Sequence, residues 1–286
     1  MNVELTAAKP ADVEADVLAM AASGLGVRKL DALFEVRLSR AAATADPVAV
    51  VPVTREVRAR SVALVKLEGD EAGDLQLAAA RAVRAHAGGG TLAWALDDML
   101  PIAMNRQVPP VVEGAVLGAY DPGRWKSSAP KPGVDRFVVC GADEDEERLR
   151  DLAKHAELTA RWTNLARELV DGPPNFVTPA ALAERAGALP GLTVEVIDPT
   201  VAGLPALATV GGASVEAPKL IVLRYTPRAP PSGRCWGSWA RPSRSTPAAT
   251  SSSRSRTSCA RRPTWPAGRR CSPRSAPSPS SSCRST

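Results

Sequence analysis

The sequence predicts an α/β fold with a largely parallel central sheet. Three observations carry this. Short apolar runs such as Ser61–Leu67 (SVALVKL) and Arg136–Cys140 (RFVVC) read as buried strands. Segments such as 74–86 and 143–170 place apolar residues at helical spacing instead. Strands and helices alternate along the chain, which is the pattern of layered α/β domains.

In chain order, Val3–Leu5 and Asp16–Met20 are the first strand candidates, then Ala49–Val53 and Ser61–Leu67. Asp74–His86 reads as a helix whose inner face would be Leu75, Leu77, Ala78 and Val83. Gly88–Gly90 breaks it, and Thr91–Leu96 returns as a strand. Val108–Tyr120 reads as a helix entered through Pro109 and Pro110, because a first turn tolerates proline. Arg136–Cys140 is another strand, and Asp143–Val170 is a long helix. Val62, Leu64, Leu67, Val138, Val139 and Cys140 are the expected sheet core, with Leu165 and Leu169 on the inner face of the long helix. Trp162 and Val170 share that face by spacing.

A hard stop follows at Asp171-Gly172-Pro173-Pro174. Gly172 can take φ > 0, and two prolines cannot continue a helix. Thr178 has the chemistry of an N-cap, with Pro179 at the first helical position. Thr193–Ile197 and Lys219–Tyr225 are the last strand candidates, joined by a short helix.

Composition divides the chain. From Ser232 to Thr286 there is no Leu, Ile, Val, Phe, Asp, Glu or Lys. That tail holds 11 of the 36 basic residues and none of the 30 acidic ones, so its removal turns a net charge of +6 into −5. The basic balance therefore belongs to the tail and gives no argument for a nucleic-acid partner of the rest. The tail lacks apolar side chains to offset chain entropy and is expected to be disordered. Cysteine divides the same way: only Cys140 precedes the tail, in an apolar setting that suggests a buried thiol. No membrane-spanning run and no signal peptide are recognised, so a cytoplasmic location is expected.

Before the tail, no catalytic, cofactor-binding or metal-ligating residue is assigned. Gly24-Leu25-Gly26 and Gly88–Gly90 lack the spacing of a phosphate loop. His86 and His155 have no second ligand at metal spacing and suit capping or surface roles. Asp97-Asp98 reads as a loop after a strand, and Asp143–Glu147 as an acidic helix start.

Residues 166–186, ARELVDGPPNFVTPAALAERA, closely resemble the ARDLVNTPPNxLTPxxLAERA signature of the leucyl (cytosol) aminopeptidase family. The departures are Asp171-Gly172 for Asn-Thr and Phe176-Val177 for a polar residue and Leu. Val112–Ser127, VEGAVLGAYDPGRWKS, is similar to the family's VEGALLGxYxFDRYKS. Residues 191–225 resemble the opening of the catalytic domain, with GLPA at 203–206 for LGMGA and Gly211-Gly212 for GQG. The resemblance implies a three-layer N-terminal α/β domain (1–142), a connecting helix (143–172) and the start of a metallopeptidase domain (173–228). It also implies hydrolysis of N-terminal residues from peptide substrates, in a homo-hexamer. Two divalent ions (manganese, zinc or magnesium) would polarise the carbonyl and activate water.

In the family a strand like LIVLRY is soon followed by LVGKGITFDTGGxxLKP and KADMxGAAAVL, which supply the metal ligands. Residues 229–286 contain neither. A second reading of the same bases does. When the last base of each codon joins the first two of the next, Ser243–Ser251 permits ITFDTGGYF. Arg234–Pro242 permits LLGLVGKA, Ser252–Arg254 permits LKP, and Pro263–Ser272 permits ADMAGGAAVL. The Lys ligand would be encoded across Ala240/Arg241 and the first Asp ligand across Ser245/Thr246. A frame change between about Pro227 and Cys235 is thus expected, leaving an inactive chain without metal ligands. Two alternatives are a stand-alone α/β ligand-binding module and an Arg/Ser-tailed RNA-binding protein.

Overall fold

The computed structural model describes residues 1–22, 41, 45–52, 58–69, 71–86, 88–127, 133–141, 146–199, 202–226, 234–237 and 255–258. Its centre is a six-stranded sheet in the order β1-β6-β5-β2-β4-β3. The strands are β1 (Asn2–Thr6), β2 (Ala15–Ala21), β3 (Val48–Pro52), β4 (Ala59–Val65), β5 (Thr91–Ala95) and β6 (Arg136–Cys140). All neighbours pair in parallel except β3, which runs antiparallel to β4 at one edge. The mainly parallel α/β sheet expected from the alternation is therefore present.

The four inner strands alternate strictly between two cores, because successive strand side chains point to opposite faces. Val17, Ala19, Ala63, Val65, Leu92, Trp94, Phe137 and Val139 share one face. Leu18, Met20, Val62, Leu64, Ala93, Ala95, Val138 and Cys140 share the other. Both faces are sequestered, so these strands read as continuous apolar runs. The first face is covered by α1 (Ala72–Ala85), α2 (Met104–Gly118) and the start of α3 (Glu146–Asp171). The segment following β2, with Gly24-Leu25-Gly26, lies outside the described residues, as do Val53 and 143–145 of the acidic run.

The close approach of α2 to α1 depends on two glycines. A Cβ on Gly114 would lie 2.0 Å from the Gln76 carbonyl oxygen, and one on Gly118 would lie 2.7 Å from the Ala80 Cα. Gln76 and Glu113 hydrogen-bond across the same seam at 3.1 Å.

Two expectations about helices are corrected. First, α2 begins at Met104, so Pro109 and Pro110 lie inside it and are not its entry. The fully buried Gln107 anchors the earlier start: its amide nitrogen Nε2 donates to Asp97 O and Ile102 O, each at 2.7 Å. Those bonds hold the turn ahead of the prolines in helical form. Second, the buried face of α3 is Leu149, Ala153, Ala156 and Ala160. Leu165 and Leu169 are half-buried, and Trp162 is 47% exposed. Small alanines let α3 lie close against the layer beneath it, and the larger side chains fall beyond that contact. Leu67 is likewise half-buried, two residues past the end of β4.

After α3 come α4 (Pro179–Gly187), β7 (Leu192–Ile197), α5 (Pro205–Gly211) and β8 (Leu220–Tyr225). β7 and β8 form a separate two-stranded antiparallel sheet. In the tail, β9 (Arg234–Gly237) and β10 (Ser255–Ser258) pair antiparallel, a short ladder where only irregular chain was expected. The remainder of the tail lies outside the described residues.

Candidate functional site

The two motif-like stretches, 112–127 and 161–186, meet in space. Both lie at helix ends. The last four carbonyls of an α-helix have no partner within it. In α2, Ala115 O is taken by Ala119 N at 3.0 Å. Asn164 and Arg167 of α3 supply the next two: Asn164 Nδ2 donates to Val116 O at 2.7 Å, and Arg167 Nη1 to Leu117 O at 3.4 Å. A cation there also opposes the negative end of the α2 dipole. Further along, Tyr120 Oη donates to Asp171 Oδ2 at 2.7 Å. The Trp125 and Phe176 rings then pack with centroids 4.9 Å apart and planes at 44°.

The stop after α3 works differently from expectation. Gly172 does not adopt positive φ; among the described residues the glycines that do are Gly89, Gly90, Gly141, Gly191 and Gly203. Its role is spatial, since a Cβ there would lie 2.5 Å from Val177 Cγ2 and 3.2 Å from Glu168 O. Thr178 caps α4 as expected: its Oγ1 accepts from Ala181 N at 3.2 Å, and Pro179 takes the first position.

His86 caps the end of α1, where its Nε2 pairs with Gly89 O at 2.6 Å. It borders an open groove of about 520 Å³ with Asp16, Arg60, Ser61 and Gly88–Gly90. The polar groups of that groove are engaged with each other. Asp16 accepts from Thr91 N at 2.9 Å and faces Arg60 at 3.3 Å, while Ser61 donates to Asp16 O at 3.2 Å. His155 sits on α3 beside Glu147, Arg148 and Asp151, and its carbonyl accepts from Thr159. Asp97 and Asp98 follow β5 in a turn, as expected.

Cys140 is fully buried, and burial pushes its thiol up to about 12. Its Sγ donates to Trp94 O at 3.3 Å. Glu4 is held below the usual carboxylate value by its hydrogen bonds from Arg136, whose own value is raised in return. Both pairings belong to the sheet and not to a reaction centre. Among the described residues, no group of three or more His, Cys, Asp or Glu converges as a metal site would require. Among them, too, no helix is long and apolar enough to cross a membrane.

Residues 164–235 match the model of the cytosol aminopeptidase family, catalytic domain. A probable cytosol aminopeptidase of Solibacter usitatus is 37% identical over 122 residues, covering 41% of this chain and 25% of that protein. One from Streptomyces avermitilis is 31% identical over 163 residues, covering 53% of this chain and 31% of that protein. The chain thus spans about a quarter to a third of the length of these curated relatives. Among solved structures, the bottromycin maturation enzyme BotP in complex with Mn aligns with TM-score 0.58 and 29% identity, over 74% of this chain and 46% of that one. A mutant tomato leucine aminopeptidase aligns with TM-score 0.64 and 21% identity, over 81% of this chain and 52% of that one; this likeness concerns the fold alone. By motif, family model and fold together, the chain is similar to the cytosol aminopeptidases over part of their length.

Proposed function

We propose that the gene specifies a leucyl-type metallo-aminopeptidase, and that its frame changes between about Pro227 and Cys235. On this reading the chain comprises an N-terminal domain (1–142), a connecting helix (143–172), the opening of the catalytic domain (173–228) and an out-of-frame tail (229–286). The complete enzyme would remove N-terminal residues from peptides in the cytoplasm, as a homo-hexamer with two manganese, zinc or magnesium ions. The chain as written has no Lys or Asp at the ligand positions and is inactive.

The observation that carries this is the order of the concealed motifs. LVGKA, ITFDTGG, LKP and ADMAGGAAVL follow one another in one alternative frame, after a strand of the right kind. A low-complexity Arg/Ser tail explains the composition but not that order. The family match supports the same boundary, because it extends to residue 235 and no further. The metal requirement has support in the Mn complex of BotP.

Resequencing the gene across the codons for Pro227–Cys235 is the direct test. In parallel, the chain as written and a frame-restored version would be assayed on a leucyl substrate after metal removal and metal return. The restored version should show turnover that disappears with the metal and comes back with it; the chain as written should show none. Metal-dependent turnover by the uncorrected chain, purified free of host peptidases, would overturn the frame change. A restored version that folds, binds metal and stays inactive would overturn the assigned activity.

A further inference from the structure

The contacts between the two motif stretches form an ordered series. Val116 meets Asn164, Leu117 meets Arg167, Tyr120 meets Asp171 and Trp125 meets Phe176. Both partners advance together along the chain, so the end of α2 and the end of α3 run side by side in the same direction. The series begins in two helices, continues through the loop 119–125 and finishes on the Pro173–Val177 stop. Its last members are a ring contact and a hydrogen bond to the final residue of α3.

We propose that this series is a latch that sets the direction in which the chain leaves α3, with Trp125 and Phe176 as its coupled closing pair. Several features support a latch over incidental surface contact. Side chains of α3 complete the hydrogen bonding of α2, so the two helix ends cannot separate without exposing Val116 O and Leu117 O. Gly172 packs under Val177, which leaves the stop little room to swing. Phe176 is 55% exposed, and most of an exposed loop phenylalanine's order must come from the ring it touches. Arg167, Asp171, Phe176 and Trp125 are thereby positioning residues for everything from α4 onward. The inference rests on these contacts alone and is independent of the proposed activity.

Native-state hydrogen exchange on the full chain tests it. The reporters are the amides of Val177 and Leu182, bonded to Pro173 O and Thr178 O, each at 3.0 Å. The reference amides are those of Leu64 and Val65 in β4. Trp125→Ala and Phe176→Ala should each speed exchange at the reporters about two- to tenfold, the range of an aromatic pair's coupling. The double variant should add little to either single one, and Trp125→Phe should retain most of the protection. Arg167→Met, which keeps the stem but not the donor, should speed the same reporters without touching the rings. The β4 amides should stay unchanged throughout. Unchanged reporters, additive effects of the two ring deletions, or an equal rise in β4 would each overturn the latch.

Discussion

The strands SVALV in β4 and LIVLRY in β8 are similar in composition and opposite in surroundings. In β4, Val62, Leu64 and Val65 are completely inaccessible. In the second sheet Val196 is 46%, Leu223 48% and Tyr225 70% exposed, and among the described residues between 173 and 226 only Ala186 and Pro199 are buried. Strand propensity is alike in the two. What differs is cover: β4 has strands on both sides and a filled core on both faces, whereas β8 has one neighbour. An apolar strand contributes to stability only through the layers that remove it from water.

The largest test of that contrast exchanges charge for apolar surface in each sheet. Leu64→Asp should unfold the first sheet, costing on the order of 4–5 kcal/mol, because it buries an unpaired carboxylate. Leu223→Asp should change stability little, by about 0.5 kcal/mol or less. Circular-dichroism melts of the two variants measure both; equal losses would erase the distinction.

A second test concerns close packing. Gly114→Ala should cost about 2–3 kcal/mol, since its Cβ would enter the backbone of α1. Gly187→Ala, in α4, meets nothing within 4 Å and should be neutral or stabilising by about 0.5–1 kcal/mol. Urea midpoints distinguish these, and a harmless Gly114→Ala would mean that α1 and α2 can move apart.

Burial also makes the first sheet sensitive to alkali. Cys140 holds its proton up to about 12 when folded, well above an unfolded thiol. The folded state therefore binds the extra proton between those values, and stability falls as pH rises through that window. From pH 8 to 10 the loss should be about 1–2 kcal/mol greater than in Cys140→Val. Paired urea titrations would show parallel pH slopes if the thiol were accessible after all.

The most local expected effect lies in the second region. Thr178→Ala removes the cap of α4 and should cost about 1 kcal/mol, seen as faster exchange at Ala181 and not in β4. A shift of equal size in β4 would mean the two regions unfold as one.

Much of this architecture was legible because strand and cap signals are local. The apolar runs announced β4 and β6, and Thr178-Pro179 announced the start of α4. Cys140 was readable as buried from its neighbours alone. The start of α2 was not, because it depends on Gln107 reaching Asp97 and Ile102 across a turn. Gly172 was legible as a special position but not for its reason: conformational freedom and lack of space leave the same letter. The series from Val116 to Phe176 left no periodic trace, since each contact joins residues far apart in the chain. As for a metal centre, no residue before the tail reads as a ligand, and among the described residues no group of three or more His, Cys, Asp or Glu converges.

Those long-range contacts have a consequence for how the chain is made. The hydrogen-bonded partners are separated by 48, 50 and 51 residues. At about 5–20 residues per second, a ribosome takes roughly 3–10 s to bridge that gap. During it, Val116 O and Leu117 O have only water to accept from, and the end of α2 waits open. Once Phe176 has been added, every member of the series exists. The seam can then close during synthesis, before anything beyond residue 226 has been translated, and so without regard to what is encoded there.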